Sequence, residues 1–104
     1  QGKFHSSVEV FRRILQIDRT NSRALNNLGV IQWQIGDTIS AMETFKTALS
    51  LNPRDPDALA NLFQAAKETG RFDLIEQNLM DTLKKAQPTH PDIAALFGGQ
   101  QDHA

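Results

Sequence analysis

The sequence predicts an all-α fold, an α-solenoid of antiparallel helix pairs with about six helices. The first observation is that Gly2, Gly36 and Gly70 recur at an interval of 34 residues. The second is that other residues repeat at the same interval: Leu25 and Leu59, Asn27 and Asn61, Leu28 and Leu62, Phe11 and Phe45. The third is that no stretch shows the period-two alternation of a half-buried strand. Self-similarity at a fixed period of this length is typical of stacked repeats.

Capping residues predict where the helices begin and end. Asp37 and Asp55 are good N-caps, and Pro56 is a good first helical residue. Gly36 and Gly70 favour the left-handed conformation that ends helices. The helices are therefore predicted over about residues 3–17, 21–35, 38–51, 56–69, 72–86 and 91–97.

Composition excludes several classes of function. The chain has 104 residues, a formal net charge of −1 and no cysteine, so neither a disulfide nor a thiolate metal site can form. Acidic and basic residues are interspersed, without the basic face that nucleic acid or a membrane surface attracts. No apolar run approaches the roughly 20 residues that span a bilayer. We expect no nucleic-acid partner and no membrane partner. The first residues lack the pattern of a signal peptide. The compartment stays unknown at this point, and a cytoplasmic location is the expectation.

One register of apolar and small residues carries a specific motif. The residues that match it are Leu25, Leu28, Gly29, Ala41, Phe45, Ala48 and Pro53. With these residues the chain resembles the tetratricopeptide repeat family, whose repeat is a helix–turn–helix unit. Gln32 holds the place where the family has an aromatic residue, and Trp33 stands beside it. The resemblance implies a superhelical scaffold that binds other proteins, and it leaves the partner unspecified.

The resemblance also divides the chain into units. These are the second helix of an incomplete repeat at 1–19, a repeat at 20–54, a degenerate repeat at 55–88, a short capping helix or the start of a further repeat at 89–98, and a disordered tail at 99–104. Gly98 and Gly99 are expected to stop the last helix. The apolar residues Phe4, Val8 and Phe11 of the first helix would lie on an uncovered end face. We therefore expect a fragment of a longer array, or a homodimer formed through exposed end helices.

Small residues set the expected spacing between paired helices. Gly29 costs roughly 1 kcal/mol relative to alanine in a helix. The resemblance places it against Ala41 and Ala48 of the next helix, where closer packing offsets that cost. The residues at these three places in the degenerate repeat are larger, namely Phe63, Ile75 and Thr82. That second helix pair should pack further apart or at another angle.

No residues are grouped in a way that indicates catalysis. His5, His90 and His103 do not pair with a second ligand at metal-binding spacing on one helix, so we interpret them as solvated surface residues. Gly29 is not part of a phosphate loop, because such loops need further glycines and a preceding strand. We expect no catalytic residue, no metal and no cofactor, and we do not expect an enzyme.

The resemblance implies a binding face instead. In the family, the first helices of successive repeats line the concave side of the superhelix. The residues it places there as candidate peptide-binding residues are Asn27, Asn61, Arg23, Asn26, Val30, Trp33, Gln64 and Lys67. In some members, asparagines at the place of Asn27 and Asn61 grip the backbone of an extended peptide. An amide side chain suits this role because it offers both donors and an acceptor to a peptide bond.

Two alternatives accompany this interpretation. Asn27 and Asn61 could bond a neighbouring helix or water instead of a peptide. Trp33 could stack on a ligand, or it could fill the place left by Gln32 and pack against the preceding helix. At the level of function, the main hypothesis is a protein-interaction module that binds an extended peptide or a partner helix on its concave face. The alternatives are a self-association module and a regulatory segment of a larger enzyme.

Overall fold

The computed structural model describes residues 21–101, with side chains described for 21–96. All regular secondary structure in this part of the chain is helical, which confirms the predicted all-α solenoid. The helices are α1 (Ser22–Gln34), α2 (Thr38–Leu51), α3 (Pro56–Thr69), α4 (Gln77–Ala86) and α5 (Pro91–Gln101), with a 3₁₀ turn at Phe72–Leu74. The predicted first helix, its residues Phe4, Val8 and Phe11, and the histidines His5 and His103 lie outside the described residues.

The caps lie where the sequence predicts them. The side chains of Asn21, Asp37 and Asp55 accept backbone N–H groups of the following first turns at 2.9, 3.3 and 2.9 Å. Gly36 and Gly70 adopt positive φ angles of 93° and 67°, which an L-residue rarely adopts. The caps accept hydrogen bonds from free N–H groups of the first helical turn, and the glycines end the helices by their positive φ angles. Because both effects are local, the sequence alone predicts them.

The core lies between α2 and α3 and extends to α4 and α5. Its largest fully buried side chains are Phe45, Phe63, Met42, Leu49, Leu59, Leu62 and Leu83. Ile93 of α5 joins the same cluster. The apolar periodicity of each helix therefore predicts the side it buries.

Gly29 lies in a close contact between α1 and α2. A Cβ atom at this position would lie 2.7 and 2.9 Å from Cδ1 and Cζ of the Phe45 ring, well inside van der Waals distance. The structure thus supports the packing role of Gly29. The atoms nearest to it belong to Phe45, whereas the sequence pointed to the neighbouring alanines; both Ala41 and Ala48 are fully buried.

The second helix pair is looser than the first. Phe63 takes the place of Gly29 and is 1% exposed. The backbones of α1 and α2 lie close together, whereas those of α3 and α4 do not. This agrees with the expectation drawn from the three larger residues, since a buried phenyl ring where a glycine would otherwise stand keeps two helices apart.

The helix predicted over 72–86 is interrupted, and that prediction is wrong. A 3₁₀ turn at Phe72–Leu74 is followed by extended backbone at Ile75 and Glu76 before α4 begins. Phe72 packs edge-on against Phe63, with ring centroids 5.6 Å apart. The carbonyl of Leu74 accepts a hydrogen bond from the ammonium group of Lys46. Tertiary contacts therefore replace the helical hydrogen bonds of this segment.

The last helix continues where the sequence predicts a stop. Helix α5 extends through Gly98 and Gly99 to Gln101, so its predicted end is wrong and the first residues of the predicted tail are helical. A helical glycine costs roughly 1 kcal/mol relative to alanine, which weakens a helix without forbidding it. Residues 102–104 lie outside the part described.

His90 anchors the start of α5, in contrast to the solvated surface residue we expected. Its side chain is 10% exposed. Its Nδ1 accepts the backbone N–H of Asp92 at 3.0 Å, so Nε2 carries the proton and donates to the Pro56 carbonyl at 3.1 Å. Beside it, the buried amide of Gln87 donates to the carbonyls of Pro53 and Asp55 at 2.8 and 3.0 Å. The turn before α5 is thereby fastened to the turn before α3.

Candidate peptide-binding face

The predicted binding residues all lie on α1 and α3. Arg23, Asn27, Gln64 and Lys67 are exposed, and Asn26, Val30, Trp33 and Asn61 are half-buried. Two side-chain hydrogen bonds join the helices, from Asn61 to Asn26 and from Trp33 to Glu68. We call the surface formed by these eight residues and Glu68 the α1–α3 face.

Asn27 and Asn61, which occupy the same place in successive repeats, have different surroundings in the structure. Asn61 donates its Nδ2–H to Oδ1 of Asn26 at 3.1 Å, so its described partner is the neighbour of Asn27. Asn27 is exposed one position further along α1. An amide has two donors and an acceptor that can take two bonds, so the Asn26–Asn61 pair retains capacity for a ligand. The bond between helices that we considered as an alternative for Asn61 is therefore present.

Trp33 is held on two sides. Its ring packs edge-on against Phe45, with centroids 6.0 Å apart and an interplanar angle of 75°. Its indole N–H donates to Oε1 of Glu68 at 2.9 Å. Beside the ring lies an open depression of about 390 Å³ lined by Val30, Trp33 and Gln34. The ring is therefore fixed in orientation at the wall of a surface depression.

Gln32 itself fills the position where the family has an aromatic residue, so Trp33 is not needed to fill it. Its side chain is 9% exposed, and its Oε1 accepts the hydroxyl of Thr44 at 2.6 Å. The oxygen of this buried amide thus has a partner on α2, as a buried polar atom needs. Packing of Trp33 against the predicted first helix lies outside the described residues.

Glu68 also belongs to this face, where the family resemblance places it, although it is not one of the eight candidate binding residues. Its carboxylate accepts a hydrogen bond from the indole N–H of Trp33 at 2.9 Å and one from the amide N–H of Gln64 at 3.4 Å. Its position 35 residues after Trp33 repeats the separation between Asn26 and Asn61. The repeat interval of 34 residues does not indicate this pairing, which depends on how the two helices pack.

A second groove, on α2 and α4, surrounds a buried lysine. The groove has a volume of about 560 Å³, and its lining includes Lys46, Glu43, Glu76, Leu79 and Thr82. Lys46 is 7% exposed, and its Nζ lies 2.6 Å from the Leu74 carbonyl, 3.0 Å from Glu43 and 3.2 Å from Glu76. The ammonium group holds the interrupted segment against α2.

The contacts of this cluster shift the pKa values of Lys46 and Glu76. Burial lowers the pKa of Lys46, but its hydrogen bonds with Glu43 and Glu76 outweigh that effect and raise it above the ordinary 10.5. A hydrogen bond with its own backbone, followed by the bond with Lys46, holds the pKa of Glu76 below the ordinary 4.5. The sequence analysis did not single out Lys46, although Glu43 stands three positions before it on the same helix.

The described residues contain neither a candidate metal site nor a candidate membrane-spanning helix. Between residues 21 and 96, no group of three histidine or acidic side chains is placed to hold a metal ion. None of the described helices combines the length and apolar character needed to cross a bilayer. The cofactor and metal expectations stay predictions.

Comparison with known proteins agrees with the repeat architecture. Two sequence models of the tetratricopeptide repeat match residues 22–55 and 44–77. Photosystem I assembly protein Ycf3 of Prochlorococcus marinus, from strains NATL1A and NATL2A, is 30% identical to the chain over 76 residues. Each alignment covers 68% of this chain and 43% of the relative, so the chain spans less than half the length of these relatives.

The repeat matches support a protein-interaction scaffold. The matched residues include the Gly29–Phe45 contact and both helices of the α1–α3 face. The all-helical architecture, the repeat interval and the two matches lead to one conclusion: the chain belongs to the tetratricopeptide repeat family.

Proposed function

We propose that this chain is a non-catalytic interaction module that binds an extended peptide, or a helix of a partner protein, along the α1–α3 face. The observation that carries the proposal is the pair of polar bonds that hold α1 and α3 side by side, Asn26–Asn61 and Trp33–Glu68. These bonds align the polar side chains of two helices as one continuous surface. A preformed surface of this kind loses less side-chain freedom on binding.

The amides are the groups that would contact the partner's backbone. Asn27 is exposed, and Asn61 keeps bonding capacity beyond its bond with Asn26. Arg23, Gln64 and Lys67 are exposed on the same two helices and would contact the partner's side chains. The relatives are named as assembly proteins of a photosystem, and a partner held during assembly of a protein complex is consistent with such a face.

The test is a peptide-display selection on the chain, repeated on Asn27→Ala/Asn61→Ala. The matched control is Asn78→Ala, which removes an exposed amide from the groove between α2 and α4. The proposal is supported if selected peptides bind the natural chain and the control equally well but bind the double variant about fivefold or more weakly. This factor corresponds to the loss of one hydrogen bond of roughly 1 kcal/mol.

Two results would overturn the proposal. One is a folded chain that selects no peptide. The other is a set of selected peptides that bind the double variant as tightly as the natural chain. Light scattering at the selection concentration separates peptide binding from self-association, since a concentration-dependent dimer would favour the alternative function.

A further inference from the structure

The surroundings of Glu68 suggest what kind of side chain the α1–α3 face accepts. Glu68 is exposed, and its hydrogen-bond partners within residues 21–96 are the neutral groups of Trp33 and Gln64. Lys46 and Arg71 form ion pairs with other carboxylates, namely Glu43, Glu76 and Asp73. Within this part of the chain, the carboxylate is oriented but its charge is not paired.

The adjoining ring adds a second feature that favours a cation. The indole of Trp33 lines the depression of about 390 Å³, and its N–H edge is occupied by Glu68. An indole is the aromatic group that attracts cations most strongly over its face. The Glu68 carboxylate lies at the edge of this ring, so the carboxylate and the ring face can attract the same cation.

We propose that the depression beside Trp33 receives a basic side chain of the bound peptide, with arginine preferred over lysine. This inference rests on the proposed function. A planar guanidinium can stack on an indole while its N–H groups bond a carboxylate, which a compact ammonium group does less well. Because Trp33 is also packed against Phe45, its ring loses little freedom when the guanidinium binds.

Lys67 moderates the effect without reversing it. It neighbours Glu68 in the sequence, and adjacent residues of a helix do not face each other. An exposed ion pair contributes little by itself, and an exposed cation–π contact contributes little more. The expected preference for a basic residue is therefore a factor of about five to ten in affinity, which requires both contacts together.

Trp33 is the only tryptophan of the chain and therefore reports on its own site. The chain labelled with ¹⁵N is titrated with N-acetyl-arginine amide, and the indole N–H signal is followed by NMR. The citrulline analogue, which has nearly the same shape and no charge, is the control for the cation, and the lysine analogue tests the ranking. We expect a saturable shift with arginine, a weaker one with lysine and none with citrulline at the same concentrations.

Variants assign the site. Glu68→Gln keeps an oxygen for the Trp33 indole while removing the charge, and it should weaken the arginine interaction by about threefold to fivefold. Asp81→Asn is the matched control, because Asp81 is an exposed carboxylate that accepts an amide on α4. Equal shifts with arginine and citrulline would overturn the inference, and this comparison does not require any variant to fold. Unchanged arginine binding to folded Glu68→Gln would also overturn it.

The selected peptides separate this inference from the proposed function. Peptides that bind the α1–α3 face without a basic residue, and that ignore Glu68→Gln, would overturn the inference and leave the proposed function standing. Arginine binding that depends on Glu68 in a chain that selects no peptide would overturn the proposed function, and with it the peptide as the source of the arginine, and leave only the preference of the depression for a cation. Failure of both experiments would overturn both.

Discussion

Replacing Gly29 with alanine adds one methyl group where α1 meets α2, and two opposing effects decide the outcome. Alanine is favoured over glycine in a helix by roughly 1 kcal/mol. Against this, the new Cβ would lie 2.7 and 2.9 Å from two atoms of the Phe45 ring, and a third is closer still. Phe45 is fully buried and packs against Trp33, so the ring cannot move aside freely.

The packing effect should prevail. Overpacking of a dense core costs about 1–3 kcal/mol, and three short contacts to one ring place this site toward the upper end. After the gain in helix propensity, Gly29→Ala should lower the free energy of unfolding by about 1–2 kcal/mol. For a domain of this size the melting temperature would fall by about 4–8 °C for each kcal/mol.

Urea denaturation followed by circular dichroism measures this difference. The comparison of Thr47→Ala with Thr47→Gly, at an exposed position of α2, gives the helix-propensity effect without the ring contact. Phe45→Leu should relieve the overlap, so it should cost less in the Gly29→Ala background than in the natural chain, by about 0.5 kcal/mol or more. A Gly29→Ala chain more stable than the natural one by roughly the Thr47 difference would refute the close-packing argument.

Three further predictions concern the contacts between repeats. Lys46→Met removes the ammonium group from the Leu74 carbonyl and should lower the free energy of unfolding by about 1–3 kcal/mol in urea; an unchanged midpoint would show that the contact contributes nothing. Because the pKa of Glu76 is lowered in the folded state, the unfolded state binds more protons in acid. Its contribution to stability is therefore present above pH 4.5 and lost as the pH falls through its folded pKa. Thermal melts from pH 6 to pH 3 should lose less stability in Glu76→Gln than in the natural chain, and parallel curves would contradict this assignment. Gln87→Ala leaves the Pro53 carbonyl without its described donor, whereas the Asp55 carbonyl keeps the N–H of Leu59, and the change should cost about 1–3 kcal/mol. Hydrogen exchange at the start of α5 should accelerate, and unchanged protection there would count against the contact.

The repeat interval predicts which helices share a face but not which residues pair across it. The family resemblance places the eight candidate binding residues on the first helices of two successive repeats, and in the structure these helices are α1 and α3. The two bonds observed between these helices join residues 35 positions apart, one more than the repeat, so Asn61 meets Asn26 and Trp33 meets Glu68. The rotation of one helix against the other decides this offset, and rotation depends on packing. Whether these residues bind a peptide stays a proposal.

The sequence by itself determined the all-α repeat architecture and the beginnings of α1, α2 and α3, and the family resemblance indicated the close packing at Gly29. N-caps and positive-φ glycines act through groups a few residues away, so their effect is readable locally. Only the tertiary structure decided that the segment after Gly70 breaks into a 3₁₀ turn. That break depends on the ring of Phe63 from α3 and on Lys46, which reaches the Leu74 carbonyl across 28 positions of the chain. Contacts over such distances exist only once the helices have packed, because packing sets which groups come within bonding distance.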